Sequence, residues 1–114
     1  MPSFRAGSVV RVPFPYTNRE TTQHRPALVV SDGAIGSGMF LWVLMITSES
    51  NRAWPGDVSL ADGYADAGLP APSRIRTLKL ATIEANVAEL IGSVAPAILQ
   101  SVRAELREIL GLAP

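Results

Sequence analysis

The chain has 114 residues, no cysteine, one histidine and a formal net charge of zero, with 47% hydrophobic residues. That is the length of one domain, 1–114, with a real core; disulfides, thiol catalysis and a cysteine metal site are excluded, and a single histidine argues against a histidine-built one. Neutral charge argues against the bulk electrostatics of a duplex-DNA binder, while the mean hydropathy of +0.22 hints at apolar surface reserved for a partner chain.

Gly7-Ser8-Val9-Val10-Arg11-Val12-Pro13 reads as a first strand, with Val10 and Val12 on one face and Pro13 ending it. Residues 14–23 form a polar loop with Phe14 and Tyr16 at its base, longer than a hairpin needs. Residues 26–31 follow as a strand whose run Leu28-Val29-Val30 suits burial on both faces. Gly33, Gly36 and Gly38 mark a turn, and residues 39–46 form the third strand, running into Thr47-Ser48. The glycine spacing is no nucleotide-binding fingerprint, because no helix follows.

Residues 49–56 make a second polar loop carrying Arg52 and Trp54, and residues 57–60 alternate as a short edge strand. Ala61 to Pro72 is loop-like, and residues 73–83 read as a long strand. Residues 87–94 read as a further strand with a bulge or bend at Gly92, although helix fits 84–90 nearly as well. Pro96 opens an amphipathic helix with Ile98, Leu99, Val102, Leu106, Ile109 and Leu110 on one face, and Gly111 closes it. Short strands followed by one helix predict a mainly β, α+β fold: a small SH3-like antiparallel barrel capped by the helix.

The chemistry points to one end of this barrel. If the second and third strands pair antiparallel through the 32–38 turn, Arg25 and Thr47-Ser48 meet there. Pro26 biases Arg25 toward an extended backbone, so a guanidinium stands at the mouth of a buried strand, placed to hold an anion. Residues 1–80 carry eight basic against six acidic side chains, residues 81–114 two against four, and nine of the ten bases are arginine, suited to bidentate phosphate contact. Genome composition can produce the same arginine bias.

These residues resemble the MazF/PemK family of toxin endoribonucleases from toxin–antitoxin pairs. The similarity runs through Gly7 to Val12, His24-Arg25-Pro26-Ala27-Leu28-Val29-Val30, Met45-Ile46-Thr47-Ser48, Val58-Ser59-Leu60, Ser73-Arg74-Ile75-Arg76-Thr77 and Leu110-Gly111-Leu112, in the family's order over about residues 6–112. The resemblance implies a barrel of the MazF/PemK/CcdB type. Its implied activity is cleavage of single-stranded RNA at a short recognition sequence, with no metal and no cofactor. Its implied partners are that RNA, a second copy of the chain, a cognate antitoxin and, only through the antitoxin complex, DNA.

By the same resemblance Arg25 and Thr47 or Ser48 fall on catalytic positions; His24, the only imidazole in the chain, is on its own chemistry a candidate general base. Tyr16, Thr17, Arg19, Arg52, Trp54, Arg74 and Arg76 are candidate RNA contacts; Tyr16 and Trp54 suit base stacking or simple loop anchoring. Trp42, in mid-strand, is expected in the core or a dimer interface. Some members carry an acidic residue and an extra arginine just before the strand that here begins at Ser73, where this chain has Pro70-Ala71-Pro72. Either a variant site on Arg25 and Thr47 or a weakened nuclease follows. The contrasting reading is a non-nuclease module, a gyrase-directed toxin or an inactive homologue. With no apolar leader or membrane span in the sequence, a cytoplasmic location is expected.

Overall fold

The computed structural model describes residues 3–15 and 22–112. Seven elements follow in order: β1 (Ser8–Pro15), β2 (Thr22–Val29), β3 (Phe40–Ser48), β4 (Val58–Leu60), β5 (Ser73–Glu84), β6 (Glu89–Ser93) and α1 (Pro96–Leu110). The strands form one antiparallel sheet in the order β4-β5-β3-β2-β1-β6. It curls into a half-barrel with α1 against it.

The sheet is buried on both faces, which is why its central strands read as unbroken apolar runs. On one face Val9, Leu28, Leu44, Ile46, Leu60 and Ile75 pack with Val102 of α1. On the other, Val10, Val12, Ala27, Val29, Leu41 and Val43 pack under Phe4, Ile83, Ala85 and Ala88. Adjacent residues such as Ala27 and Leu28 therefore enter different clusters, as the period of two requires.

Helix α1 has the expected limits. Pro96 occupies its first turn, and Gly111 adopts a left-handed φ of 68° as its C-cap. The Leu112 N–H reaches the Arg107 carbonyl at 2.9 Å, satisfying an otherwise open helix-end acceptor. Val102 is fully buried, and Ile98 and Leu106 flank it.

The curl brings the sheet's two edges toward one another, and the segment between β4 and β5 crosses the seam. The Ser93 N–H of β6 donates to the Asp66 carbonyl at 3.4 Å. Glycine is needed on both sides of this contact: a Cβ at Gly68 would collide with the Ile91 carbonyl, and one at Gly92 with the backbone of Ala67. The sequence loop at 61–72 is thus a strap across the half-barrel.

Several boundaries depart from the sequence expectation. Strand β1 runs through Pro13 to Pro15, and β2 spans 22–29 instead of 26–31. Both strands continue because they pair with each other, Pro13 with His24 and Arg11 with Pro26. Pairing of β2 with β3 begins only at Ala27, so Pro26 has no ladder bond to forfeit on that side. Residues 85–87 form a single 3-10 turn, and β6 starts at Glu89. The bulge expected near Gly92 is present: Val9 faces Gly92 while Val10 faces Leu90, leaving Ile91 extra. Trp42 is not a core residue, being 48% exposed. Among the described residues, no helix is long and apolar enough to cross a membrane.

Candidate functional site

The pairs Ala27–Met45, Leu28–Leu44 and Val29–Val43 set the register of β2 on β3. Continuing it by two residues places Arg25 opposite Thr47, the juxtaposition expected from equal counting. Pairing stops at Ala27, however, so Arg25 and Thr47 lie beyond the last paired residues of the two strands. On its other side Thr47 is paired with Arg74 of β5, and Arg74 in turn with Ser59 of β4. Paired residues share a face. Thr47, Arg74 and Ser59 therefore form one row across three strands, and the β2–β3 register, continued past Ala27, extends that row to Arg25.

Next to the row, residues 48–57 fold into a loop clasped by β5. Arg74 Nη2 donates to the Glu49 carbonyl at 3.1 Å, and Arg76 Nη2 to the Arg52 carbonyl at 2.8 Å. Arg76 Nη1 meets Asp57 Oδ2 at 3.0 Å, and the same oxygen accepts the Trp54 N–H at 2.9 Å. Thr77 Oγ1 donates to the Gly56 carbonyl at 2.8 Å. Gly56 has a φ of 80°, and a Cβ there would lie 2.7 Å from Thr77 Oγ1, so only glycine allows this approach.

The clasp depends on an irregularity in β5. Leu44 faces Leu80 but Ile46 faces Ile75, so β5 carries extra residues in the interval. Alternation fails locally, and Ile75, Arg76 and Thr77 are buried in succession. As candidate RNA contacts, Arg74 and Arg76 would both have to be open to solvent. Instead Arg76 is 6% exposed, ion-paired, and stacked with its Cζ 4.2 Å from the Trp54 ring centroid. Lys79 Nζ lies 5.9 Å from the same centroid. Trp54 keeps 39% of its surface in solvent, a ring backed by a cation and open outward. Two buried atoms of the clasp, Asp57 Oδ1 and Arg74 Nε, have no hydrogen-bond partner.

The other sequence candidates fall as follows. Arg25 is half-buried and its Nη2 donates to Gln23 Oε1 at 3.1 Å. His24 is exposed and, one residue out of phase with Arg25, faces away from the row. Ser48 is likewise out of phase and serves the loop, its Oγ accepting the Ser50 N–H at 3.2 Å. Thr47 is half-exposed. Arg52 is exposed at the loop's crest. Tyr16, Thr17 and Arg19 lie outside the described residues.

Two participants escaped the sequence reading. Asn51 donates from Nδ2 to Thr47 Oγ1 at 2.6 Å. Asp57, which the sequence shows only among scattered carboxylates, is the counter-charge of Arg76. No local pattern announces either, since both contacts depend on how the loop closes over β5. Among the described residues, no group of three or more His, Cys, Asp or Glu side chains comes together in a metal-binding cluster.

Known proteins match this fold. The chain is similar to the MazF of Deinococcus radiodurans, at 24% identity over 98% of this chain and 100% of that one, with a TM-score of 0.77. The same organism's MazE–MazF complex aligns at 22% identity over 96% and 97% of the two chains, with a TM-score of 0.76. A mycobacterial endoribonuclease in complex with its cognate antitoxin aligns at 22% identity over 100% and 99%, with a TM-score of 0.74. At these identities the structures establish the shared fold. No curated protein sequence matches the chain significantly. The family model of PemK-like, MazF-like toxins of type II toxin–antitoxin systems, by contrast, matches residues 5–110. With that match across nearly its whole length, the chain belongs to the PemK-like, MazF-like toxin family.

Proposed function

We propose that this chain is the toxin of a toxin–antitoxin pair and cuts single-stranded RNA without a metal, on the row of Arg25, Thr47 and Arg74. The observation that carries the reading is the pairing of Thr47 with Arg74, together with a β2–β3 register that, continued past Ala27, brings Arg25 level with Thr47. One similar structure is named an endoribonuclease bound to its cognate antitoxin, which supports both the activity and the partner.

The chemistry needs such groups. A ribose 2′-OH attacks the adjacent phosphorus, the P–O5′ bond breaks, and the products are a 2′,3′-cyclic phosphate and a 5′-hydroxyl. Negative charge grows on the non-bridging oxygens as the attack proceeds. Arg25, with its five donors in a fixed fork, stabilises that charge while staying protonated; the 2′-OH gives its proton to solvent water and the departing 5′-oxygen takes one from water. Thr47 donates to a non-bridging oxygen and fixes the phosphate's geometry. Arg74, already bound to the Glu49 carbonyl, adds a second positive charge on the far side of Thr47. Trp54 and Arg52 flank the row on the clasped loop, a stacking ring and a phosphate contact for neighbouring nucleotides.

Primer extension on a kilobase transcript, incubated with the purified protein and a chelator, tests this reading. Discrete cuts at a recurring short sequence support it. An intact transcript at micromolar protein overturns it and leaves the non-nuclease module as the better description.

A further inference from the structure

We infer that Asn51 is a positioning residue that aims the Thr47 hydroxyl proton at the scissile phosphate. The inference rests on the RNA-cleavage reading and names a member of that site no sequence pattern reveals.

The geometry is specific. Asn51 Nδ2 lies 2.6 Å from Thr47 Oγ1. A threonine hydroxyl has one proton and two lone pairs. An amide N–H that fills one lone pair leaves the proton to be offered to a different acceptor, which on the proposed reading is the phosphate held beside Arg74. The accepted hydrogen bond also polarises the O–H and makes it a better donor. Without Asn51 the hydroxyl rotates among three staggered positions, only one of which serves the phosphate.

A purely structural role for the amide is hard to sustain, because the loop is held without it. The Asn51 N–H donates to the Ser48 carbonyl at 3.0 Å, and Ser48 Oγ stands 2.9 Å from Ser50 Oγ. Arg74 and Arg76 then grip the carbonyls of Glu49 and Arg52, on either side of residue 51. The backbone position is set by these groups, so the side chain of Asn51 is left to act on Thr47.

The test is single-turnover cleavage of a kilobase transcript by the parent, Asn51→Ala, Thr47→Val and the double variant, with the half-saturating protein concentration measured for each. Asn51→Ala should slow the maximal rate about three- to tenfold, from lost orientation and polarisation, without moving half-saturation. In the Thr47→Val background it should have no further effect. Asn51→Asp, which accepts the hydroxyl proton instead of freeing it, should be slower than Asn51→Ala, and that difference should shrink once Thr47 is valine. Equal effects of Asn51→Ala in both backgrounds, or cleavage by Asn51→Ala at the parental rate, overturn the inference. A parental rate in Thr47→Val overturns Thr47's part in the function first and the inference with it.

A readout independent of activity accompanies these rates. The Asn51 side-chain amide resonances should shift in Thr47→Val, and unshifted resonances overturn the contact itself. If the parent leaves RNA intact, the proposed function fails, while the amide resonances still report whether the Asn51–Thr47 bond exists.

Discussion

Arg25 and Arg74, the two arginines proposed to act with Thr47, stand on two strands in different settings. Arg25 lies in β2 beyond the last pair with β3, its Nη2 donating to Gln23 Oε1 of the same strand at 3.1 Å. Arg74 is tied to the Glu49 carbonyl and contributes position more than reach. Arg25→Ala should therefore cut the single-turnover rate about a hundredfold or more, the scale for losing one transition-state donor. Arg25→Lys should recover only part, because an ammonium lacks the bidentate fork. Thr47→Val should slow cleavage, and Thr47→Ser should be mild. The Arg25/Thr47 double variant should lose less than the product of the single losses if both act on one phosphate. A chelator-resistant, parental rate in Arg25→Ala would place the chemistry elsewhere on the surface.

Asp57 and Arg76 carry a different kind of charge. Their side chains are 6% and 8% exposed, so each depends on the other for compensation. Asp57→Ala leaves a buried guanidinium without its counter-ion and should cost about 3–5 kcal/mol in urea unfolding. The paired change Asp57→Leu with Arg76→Met should cost less than Asp57→Ala alone, because neither charge is then stranded. An Asp57→Ala variant as stable as the parent would mean the ion pair contributes nothing.

Among the elements, β5 has the most jobs. Its first residues complete the row, its irregular middle clasps the 48–57 loop, and its last stretch continues the sheet beside β3. The strap between β4 and β5 then holds the curl shut against β6. Gly92→Ala tests that seam, since the new methyl has the Ala67 backbone in its place. It should destabilise by about 1–3 kcal/mol, the range for overpacking a filled site, and melting temperatures would show it. Gly38→Ala is the comparison: a Cβ there meets nothing within 4 Å, so its cost is confined to a φ of 82°.

At the scale of the whole molecule, the far half of β5 leaves a sheet edge and an apolar face uncovered. Strand β4 pairs only with residues 73–75, and beyond it Leu78 and Leu80 are 53% and 52% exposed beside Trp42. The resemblance to MazF-type toxins implies a symmetric dimer, and this surface has the composition of a homodimer core. Leu80→Asp should shift the chain toward a species near 12.1 kDa in sedimentation at micromolar concentration. A parent that sediments only at that mass would remove the dimer. The antitoxin is expected as an extended acidic segment over the row and the loop crest. Arg52→Glu should weaken its binding, by a factor that shrinks as salt rises; unchanged affinity would place the acidic segment elsewhere.

The sequence by itself determined much of this protein. The period of two in the strands, the 3.6-residue pattern of 96–110 with its proline start and glycine stop, and the double-sided apolar runs all follow from local burial, and all are present. Equal counting from the 32–38 turn anticipated the register in which Ala27 faces Met45, because antiparallel register is arithmetic. What the tertiary structure decided lies where strands part, bulge or close on themselves. Proline 26 sits inside β2 only because β3 has not yet joined it. Arg76 is buried, not exposed, because β5 holds extra residues against β3, and no pattern within residues 73–83 encodes a register set by another strand. Asn51 and Asp57 acquired partners only when the loop closed over that bulge. Local periodicity specifies which face a side chain takes in a regular strand; long-range pairing decides where the regularity stops, and the candidate site is built at those stops.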